Sequence, residues 1–389
     1  MVESKFCPLP WFNITTDVNG SVRPCCRYAQ PLDQVDYKMP WLQDGSIKSL
    51  WNGPEMKALR RAFIDGEQPD GCSWCWKEES NNVTSYRQNY IKHHSRDYNN
   101  IDFTTDHSDA PRVFDVKLSN VCNLKCRMCN GISSSSILKE EKTLKTFSAE
   151  EIKEQEYWLS NKILGTHNEK DFIEWLPQIV QIEFTGGEPL VSPENKQLIK
   201  MISETEYAKN IRIQITTNAT HYNTNLVEQL KKFKMVYIDA SIDDIGPRIE
   251  YARHGTKWAT LDKNLNKYNN IEGFVFYIWA TVNNYNIWYL DELINYCDQN
   301  NIRIALGAMH DPKELSIQYL PEHLKEAIRE KYSKLPHLSE RLQPILNFLD
   351  AADDNYIEKF LATTKQHDET RKESFKDVFP EWREMIYYG

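Results

Sequence analysis

The sequence has no long apolar run. Its longest near-apolar stretch is FVFYIWATV, Phe274–Val282. A membrane-spanning helix needs about 20 apolar residues, so this one reads as a buried strand. The start, MVESKFCPLPW, lacks a basic segment followed by an apolar one. No signal peptide is therefore expected, and the expected compartment is the cytoplasm. Positive charge is in short supply: 47 Lys and Arg stand against 56 Asp and Glu, a formal net charge of -9. A nucleic-acid footprint or an anionic membrane surface is not expected of such a balance. Internal repeats, low-complexity tracts, a Walker loop and a serine-triad signature are all absent. Those absences argue against a solenoid, a disordered linker, a P-loop nucleotidase and a serine hydrolase.

Cysteine is what the chain does not lack. Eight of nine fall in three groups: Cys7, Cys25 and Cys26; Cys72 and Cys75; and Cys122, Cys126 and Cys129. A chain of 389 residues with 40% hydrophobic side chains builds a core without covalent staples. In a reducing compartment, clustered cysteines bind metal or do redox work more often than they pair. The ninth, Cys297, shares one helical face with Leu290, Leu293 and Ile294 and reads as a core residue.

The first hundred residues are rich in Pro, Gly, Asn and Asp and show little periodicity. One helix stands out in GPEMKALRRAFIDG, with Pro54 in its first turn and Gly66 at its stop. The polar stretch ending near Pro111 predicts a domain boundary at about residue 110. Beyond it, short apolar runs alternate with helical patterns. Strands are expected at 113–119, 180–185, 211–217, 235–242, 274–282 and 302–308. Such alternation predicts an α/β fold with a parallel sheet, a partial (β/α)6 TIM-like barrel. Chemistry then belongs at the C-terminal strand ends. Residues 311–389 read as a charged helical extension. The expected division is 1–110, an irregular N-terminal domain; 111–310, the barrel; and 311–389, the extension.

The strongest motif is CNLKCRMC, with Cys122, Cys126 and Cys129 spaced Cys-x3-Cys-x2-Cys just after the first barrel strand. Three thiolates on one short loop can hold three irons of a 4Fe–4S cluster and leave the fourth open. A structural zinc site usually closes with four ligands. FTGGEPL follows the second strand. Its glycines permit close backbone approach or positive φ, and Glu188 can accept from an ammonium group. ITTNAT and DASIDD close the third and fourth strands with Asn218, Ser241 and Asp243, either ligand contacts or caps.

Together these motifs resemble the radical S-adenosylmethionine (SAM) superfamily over roughly 111–310. The resemblance implies a catalytic 4Fe–4S cluster on Cys122, Cys126 and Cys129 whose open iron chelates SAM. One electron, from a donor such as flavodoxin or ferredoxin, then cleaves SAM to methionine and a 5′-deoxyadenosyl radical that abstracts hydrogen from substrate. It also implies SAM contacts at Gly186, Gly187, Glu188, Asn218, Ser241 and Asp243, and at Arg253 in YARHGTKW. Met128, near the adenine, departs from the aromatic residue common there, so altered packing is expected.

The N-terminal pattern is similar to the auxiliary-cluster domain called SPASM, or twitch when shortened. Cys7, the hairpin DVNGSVRPC ending at Cys25, and the knuckle GCSWCW with Cys72 and Cys75 would supply four thiolates for a second 4Fe–4S cluster. Cys26 is left over, as a packed thiol or an alternative ligand. A zinc site closed by four cysteines is the competing reading. The domain usually follows the barrel in that family; here it precedes it. The implied activity is oxidation, crosslinking or epimerisation of a peptide or protein, with the second cluster moving electrons. A radical SAM dehydrogenase or epimerase of a small molecule is the alternative, and a non-catalytic zinc-stabilised binding protein is the third reading.

Overall fold

The computed structural model describes residues 5–28, 42, 45–80, 84–98, 101–144, 148–158, 165–352 and 354–388. Among the described residues there are ten strands: β1 (Asn13–Thr16), β2 (Val22–Arg23), β3 (Val113–Val116), β4 (Lys125–Cys126), β5 (Gln181–Phe184), β6 (Arg212–Thr217), β7 (Met235–Ser241), β8 (Arg253–His254), β9 (Phe274–Val282) and β10 (Arg303–Ala308). All six strands expected from the sequence are among them, 274–282 with the expected bounds and the other five trimmed by one to three residues. The chain forms two compact units. One comprises 1–122, 131–215 and 223–236; the other comprises 123–130, 216–222 and 237–389.

In the first unit the strand order is β6-β5-β3-β1-β2. β1, β3, β5 and β6 are parallel, and β2 returns antiparallel to β1. The hairpin expected at DVNGSVRPC is the β1–β2 turn, closed by Gly20 at φ 82°. β1 is the element that periodicity hid. NITT is four residues long and wholly buried, and three of its side chains, Asn13, Thr15 and Thr16, are polar. Two of them bond internally: Asn13 Nδ2 donates to the Pro24 carbonyl at 2.8 Å, and the Thr15 hydroxyl to Asp115 at 3.3 Å. A strand with three polar residues in four shows no apolar alternation. The helix Pro54–Ile64 forms as expected and buries Met56, Leu59 and Phe63. It also buries Arg60, whose guanidinium donates to the carbonyls of Pro10 and Trp51 and lies 4.5 Å from the Trp51 ring centre.

In the second unit β7, β9 and β10 neighbour one another in the order β10-β9-β7, with β9 and β10 parallel. β4 and β8 form a separate antiparallel pair. The extension is helical at Glu322–Ser333, Ser339–Leu349, Ile357–Arg371 and Pro380–Tyr388. It closes an aromatic core around Tyr285, Phe360, Phe375, Phe379 and Trp382. Cys297 packs on the buried face of Leu290–Gln299, and burial pushes its thiol up to about 12. The protein is thus mixed α/β with mostly parallel strands and a helical C-terminal region. Among the described residues, no helix is long and apolar enough to cross a membrane.

Candidate functional site

Local chemistry builds the N-terminal cysteine cluster. The β1–β2 hairpin turns the chain back to Cys25. The one-turn helix Asp70–Cys72 leads directly into the helix Ser73–Ser80, which carries Cys75. Gly71 makes this possible, because a Cβ there would lie 2.3 Å from the Tyr28 ring. Cys7, Cys25, Cys72 and Cys75 all line one cavity, walled by Leu9, Phe63 and Trp76 and holding about 310 Å³ of atom-free space, part of it open to solvent. Burial, then the Cys72 thiol, pushes Cys7 well above the ordinary thiol range; burial, then Cys26 and Cys7, does the same to Cys25. Burial also raises Cys72 and Cys75, while the Arg87 guanidinium opposes it. Arg87 is held there by Glu79, with Nη2 to Oε2 at 2.6 Å. Neighbouring thiols shielded by protein resist ionisation, and a bound cation would replace their protons.

Cys26 points elsewhere. It does not line the cavity. Solvent reaches it, yet surrounding protein desolvates and raises its thiol, Asp115 raises it further, and the Tyr86 hydroxyl opposes the shift. Asp115 itself belongs to a row across four parallel strands, Thr15, Asp115, Glu183 and Gln214, set by strand register. Sequence reasoning missed this polar row, which only strand pairing assembles.

The Gly-Gly-Glu loop also lies in the first unit. Gly186 has φ 102°, and a Cβ at Gly187 would sit 2.5 Å from the Val121 carbonyl oxygen. The loop therefore presses on the backbone that leads into Cys122. Gly187 N donates to Ser119 O at 3.2 Å and Glu188 N to Val121 O at 2.8 Å. Glu188 is buried, and its carboxylate accepts from Leu190 N at 3.0 Å. Cys122 N donates to the Ser135 hydroxyl at 3.2 Å.

The rest of the loop belongs to the second unit. Cys126 pairs with Arg253 across β4 and β8. Arg253 Nη1 donates to Cys126 Sγ at 3.7 Å, while its Nε donates to Asp243 Oδ2 at 2.8 Å. Burial would lower the Arg253 pKa, but Asp243 and Cys126 hold it above its usual value. The other Asp243 oxygen accepts from Thr281 N at 2.9 Å. Arg253 and Asp243 thus form a pair with each other and with a loop thiol, a link that sequence reasoning did not draw. Asn218 Nδ2 donates to Asn123 Oδ1 at 3.1 Å, and Asn218 Oδ1 accepts from Thr220. Ser241 ends β7 half-buried. Met128 packs against the aromatic core of the C-terminal helices. Cys129 is exposed, with its N–H on Cys126 O at 3.1 Å. Arg127, between two of the cysteines, was also missed; its side chain is fully buried against the extension.

Residues 116–297 match the radical SAM superfamily, and residues 7–76 match the iron-sulfur cluster-binding domain called SPASM. An uncharacterised protein of Methanocaldococcus jannaschii is 25% identical over 266 residues, 65% of this chain and 83% of its own. The AdoMet-dependent heme synthase of Methanosarcina barkeri is 26% identical over 138 residues, 35% of this chain and 32% of its own length. Streptococcus suis SuiB bound to S-adenosylmethionine superposes with a TM-score of 0.37 at 15% identity, over 74% of this chain and 62% of that one. The cysteine loop after the first barrel strand lies within the radical SAM match, and the four-cysteine cavity within the cluster-binding match. Residues 116–297 thus form a radical SAM domain, and residues 7–76 a SPASM-type iron–sulfur cluster-binding domain.

Proposed function

We propose that Cys122, Cys126 and Cys129 hold the catalytic 4Fe–4S cluster, and that Cys7, Cys25, Cys72 and Cys75 hold a second one. The donor set supports both: thiols on a short loop, and four thiols, two buried and two half-buried, around an apolar cavity, are what such clusters take. The cavity is the observation that carries the reading. Among the described residues, no three His, Cys, Asp or Glu side chains are grouped as a single ion would need. The four thiols line one cavity, a donor set that a 4Fe–4S cluster takes and that zinc can also take, so metal and sulfide analysis separates the two. Cys25 is the ligand in this reading, since it lines the cavity and Cys26 does not.

When bound, the catalytic cluster and SAM together supply a 5′-deoxyadenosyl radical for hydrogen abstraction. The chain's own part is to place and shield. Gly186 and Gly187 bring backbone against the Cys122 approach, and Glu188 offers a buried carboxylate for the SAM ammonium. Asn218, Ser241, Asp243 and Arg253 offer polar groups at strand ends for its ribose and carboxylate, with Met128 near the adenine. Arg253 also donates to Cys126, which favours its thiolate form. Residues 1–110, 111–310 and 311–389 remain our division into auxiliary, barrel and helical domains.

For the substrate we favour a peptide or protein, oxidised, crosslinked or epimerised in the cytoplasm, with electrons passing through the second cluster. The supporting feature is an open aromatic face in the second unit. Trp279 on β9 is 49% exposed and lies over Gly307, where a Cβ would come within 3.3 Å of the indole. Beside it, Arg303 stacks on Tyr277 at 4.2 Å. An open face suits an extended chain, whereas small ligands favour enclosed pockets. The second reading, a small molecule, rests on the heme synthase relative.

Anaerobic purification tests the cluster assignment: about eight irons and eight sulfides per chain are expected. Zinc without labile sulfide would end it. Dithionite plus SAM should then yield 5′-deoxyadenosine. A mass change in a candidate precursor peptide, and none in tetrapyrroles, would decide the substrate class; the opposite pattern would reverse it.

A further inference from the structure

Arg127 stands between two cysteines of the loop, on a side chain with no exposure to solvent. Burying a guanidinium is costly unless every part of it is answered. Here the second unit answers it fully. Nη2 meets Asp368 Oδ1 and Glu373 Oε2, each at 2.7 Å. Nε donates to Tyr251 O at 3.1 Å, and Nη1 to Thr364 O at 3.4 Å. The guanidinium carbon lies 3.6 Å from the centre of the Tyr251 ring. The backbone joins in, with Arg127 N donating to Ala252 O at 2.9 Å.

The two carboxylates are themselves fixed. Asp368 Oδ1 also accepts from the Tyr251 hydroxyl at 2.6 Å, and Oδ2 from Phe375 N at 2.7 Å. Glu373 Oε1 meets His254 Nδ1 at 2.6 Å. Glu373 sits just past Lys372, which ends the helix Ile357–Arg371 at φ 55°, and its N–H returns to Asp368 O at 3.0 Å. The left-handed stop thus turns Glu373 back beside Asp368. Four oriented acceptors, a helix end and an aromatic face converge on one loop residue. A surface ion pair has no such construction.

We propose that the C-terminal extension is a clamp for the cluster loop: Asp368 and Glu373 act through Arg127 as positioning residues for the Cys126 and Cys129 thiolates. Cys126 is gripped from the barrel by Arg253 and Asp243. The very next residue is gripped by the extension. The loop is therefore held on both sides of the Cys126–Arg127 peptide, and its thiol spacing depends on residues more than two hundred positions away. This rests on the reading that Cys126 and Cys129 ligate iron.

The test uses the full chain with both clusters loaded. Asp368→Asn and Glu373→Gln keep shape and remove one charge each, so each leaves Arg127 one carboxylate and the fold intact. The probe is a ferrous chelator, with iron loss followed alongside the electron paramagnetic resonance signal of the reduced, SAM-responsive cluster. Each single variant should lose that cluster about tenfold faster than wild type, the range expected when the partners of a metal ligand are removed. Its SAM-induced signal change should be altered, while the second cluster is retained as in wild type. Arg127→Lys, a charge without the fork, should fall between wild type and the carboxylate variants. Wild-type loss rates and an unchanged SAM-responsive signal in both single variants would overturn the clamp and leave the cluster assignment standing. Wild-type protein that binds no cluster at Cys126 and Cys129 would overturn both.

Discussion

Two cysteine sites share this chain and are built in opposite ways. The loop at 122–129 gathers its three thiols within eight residues, so the covalent chain does most of the gathering. The N-terminal site draws Cys7, Cys25, Cys72 and Cys75 from three separated segments, and a hairpin, a one-turn helix and a close-packed glycine assemble them. The local site needs bracing against motion, which Arg253 and Arg127 supply. The assembled site needs the whole fold around it, and pays with thiols that resist ionisation. A single change should therefore act differently on each.

The sharpest break in the comparison is Cys126→Ala. It should abolish 5′-deoxyadenosine formation, a loss of about 10³-fold or more as expected when a group essential to the chemistry is removed. The four irons of the N-terminal site should remain. Retained SAM cleavage by the variant would sink the loop assignment. Next, Cys25→Ala should lower iron from about eight to about four per chain, and Cys26→Ala should leave it near eight. Equal losses in iron analysis would make the adjacent pair interchangeable.

The glycines sharpen the contrast further. Gly187→Ala forces a Cβ toward backbone at 2.5 Å, so it should weaken SAM binding and cost about 1–3 kcal/mol in thermal unfolding. Gly71→Ala meets a side-chain ring instead, which can shift. It should impair second-cluster retention while SAM cleavage survives; a calorimetric scan and iron analysis read both.

The smallest effect concerns pH. The N-terminal thiols are raised in the folded state. Protonated burial therefore stabilises the cluster-free fold below the ordinary thiol pKa of about 8.5, and that stability falls as pH rises beyond it. Chemical denaturation of cluster-free protein should show the midpoint dropping above that pH. A flat profile would mean that the thiols are less enclosed than the cavity indicates.

The parallel strands, their order along the chain and the loop cysteines were legible because each is announced locally, by apolar runs of the right length or by short spacing. Cys297 was legible because three apolar neighbours share its helical face. β1 was not, since Asn13 and Thr15 satisfy one another and their neighbours inside the sheet and leave no apolar alternation to read. Arg127 looked like any charged loop residue, because its partners lie at 251, 364, 368 and 373. The Arg253–Asp243 pair was half legible: both residues were marked, but as separate ligand contacts.

By itself, the sequence determined the class of chemistry. Thiol spacing, a glycine pair and strand-end polar residues are short-range features, and short-range geometry follows from covalent connectivity and local backbone preference. Only the tertiary structure decided which of two adjacent thiols faces the N-terminal cavity, which carboxylates neutralise Arg127, and which guanidinium meets Cys126. Those choices depend on burial and on partners far apart in the chain, where desolvation makes a charge or thiol take whichever partner the fold brings within reach.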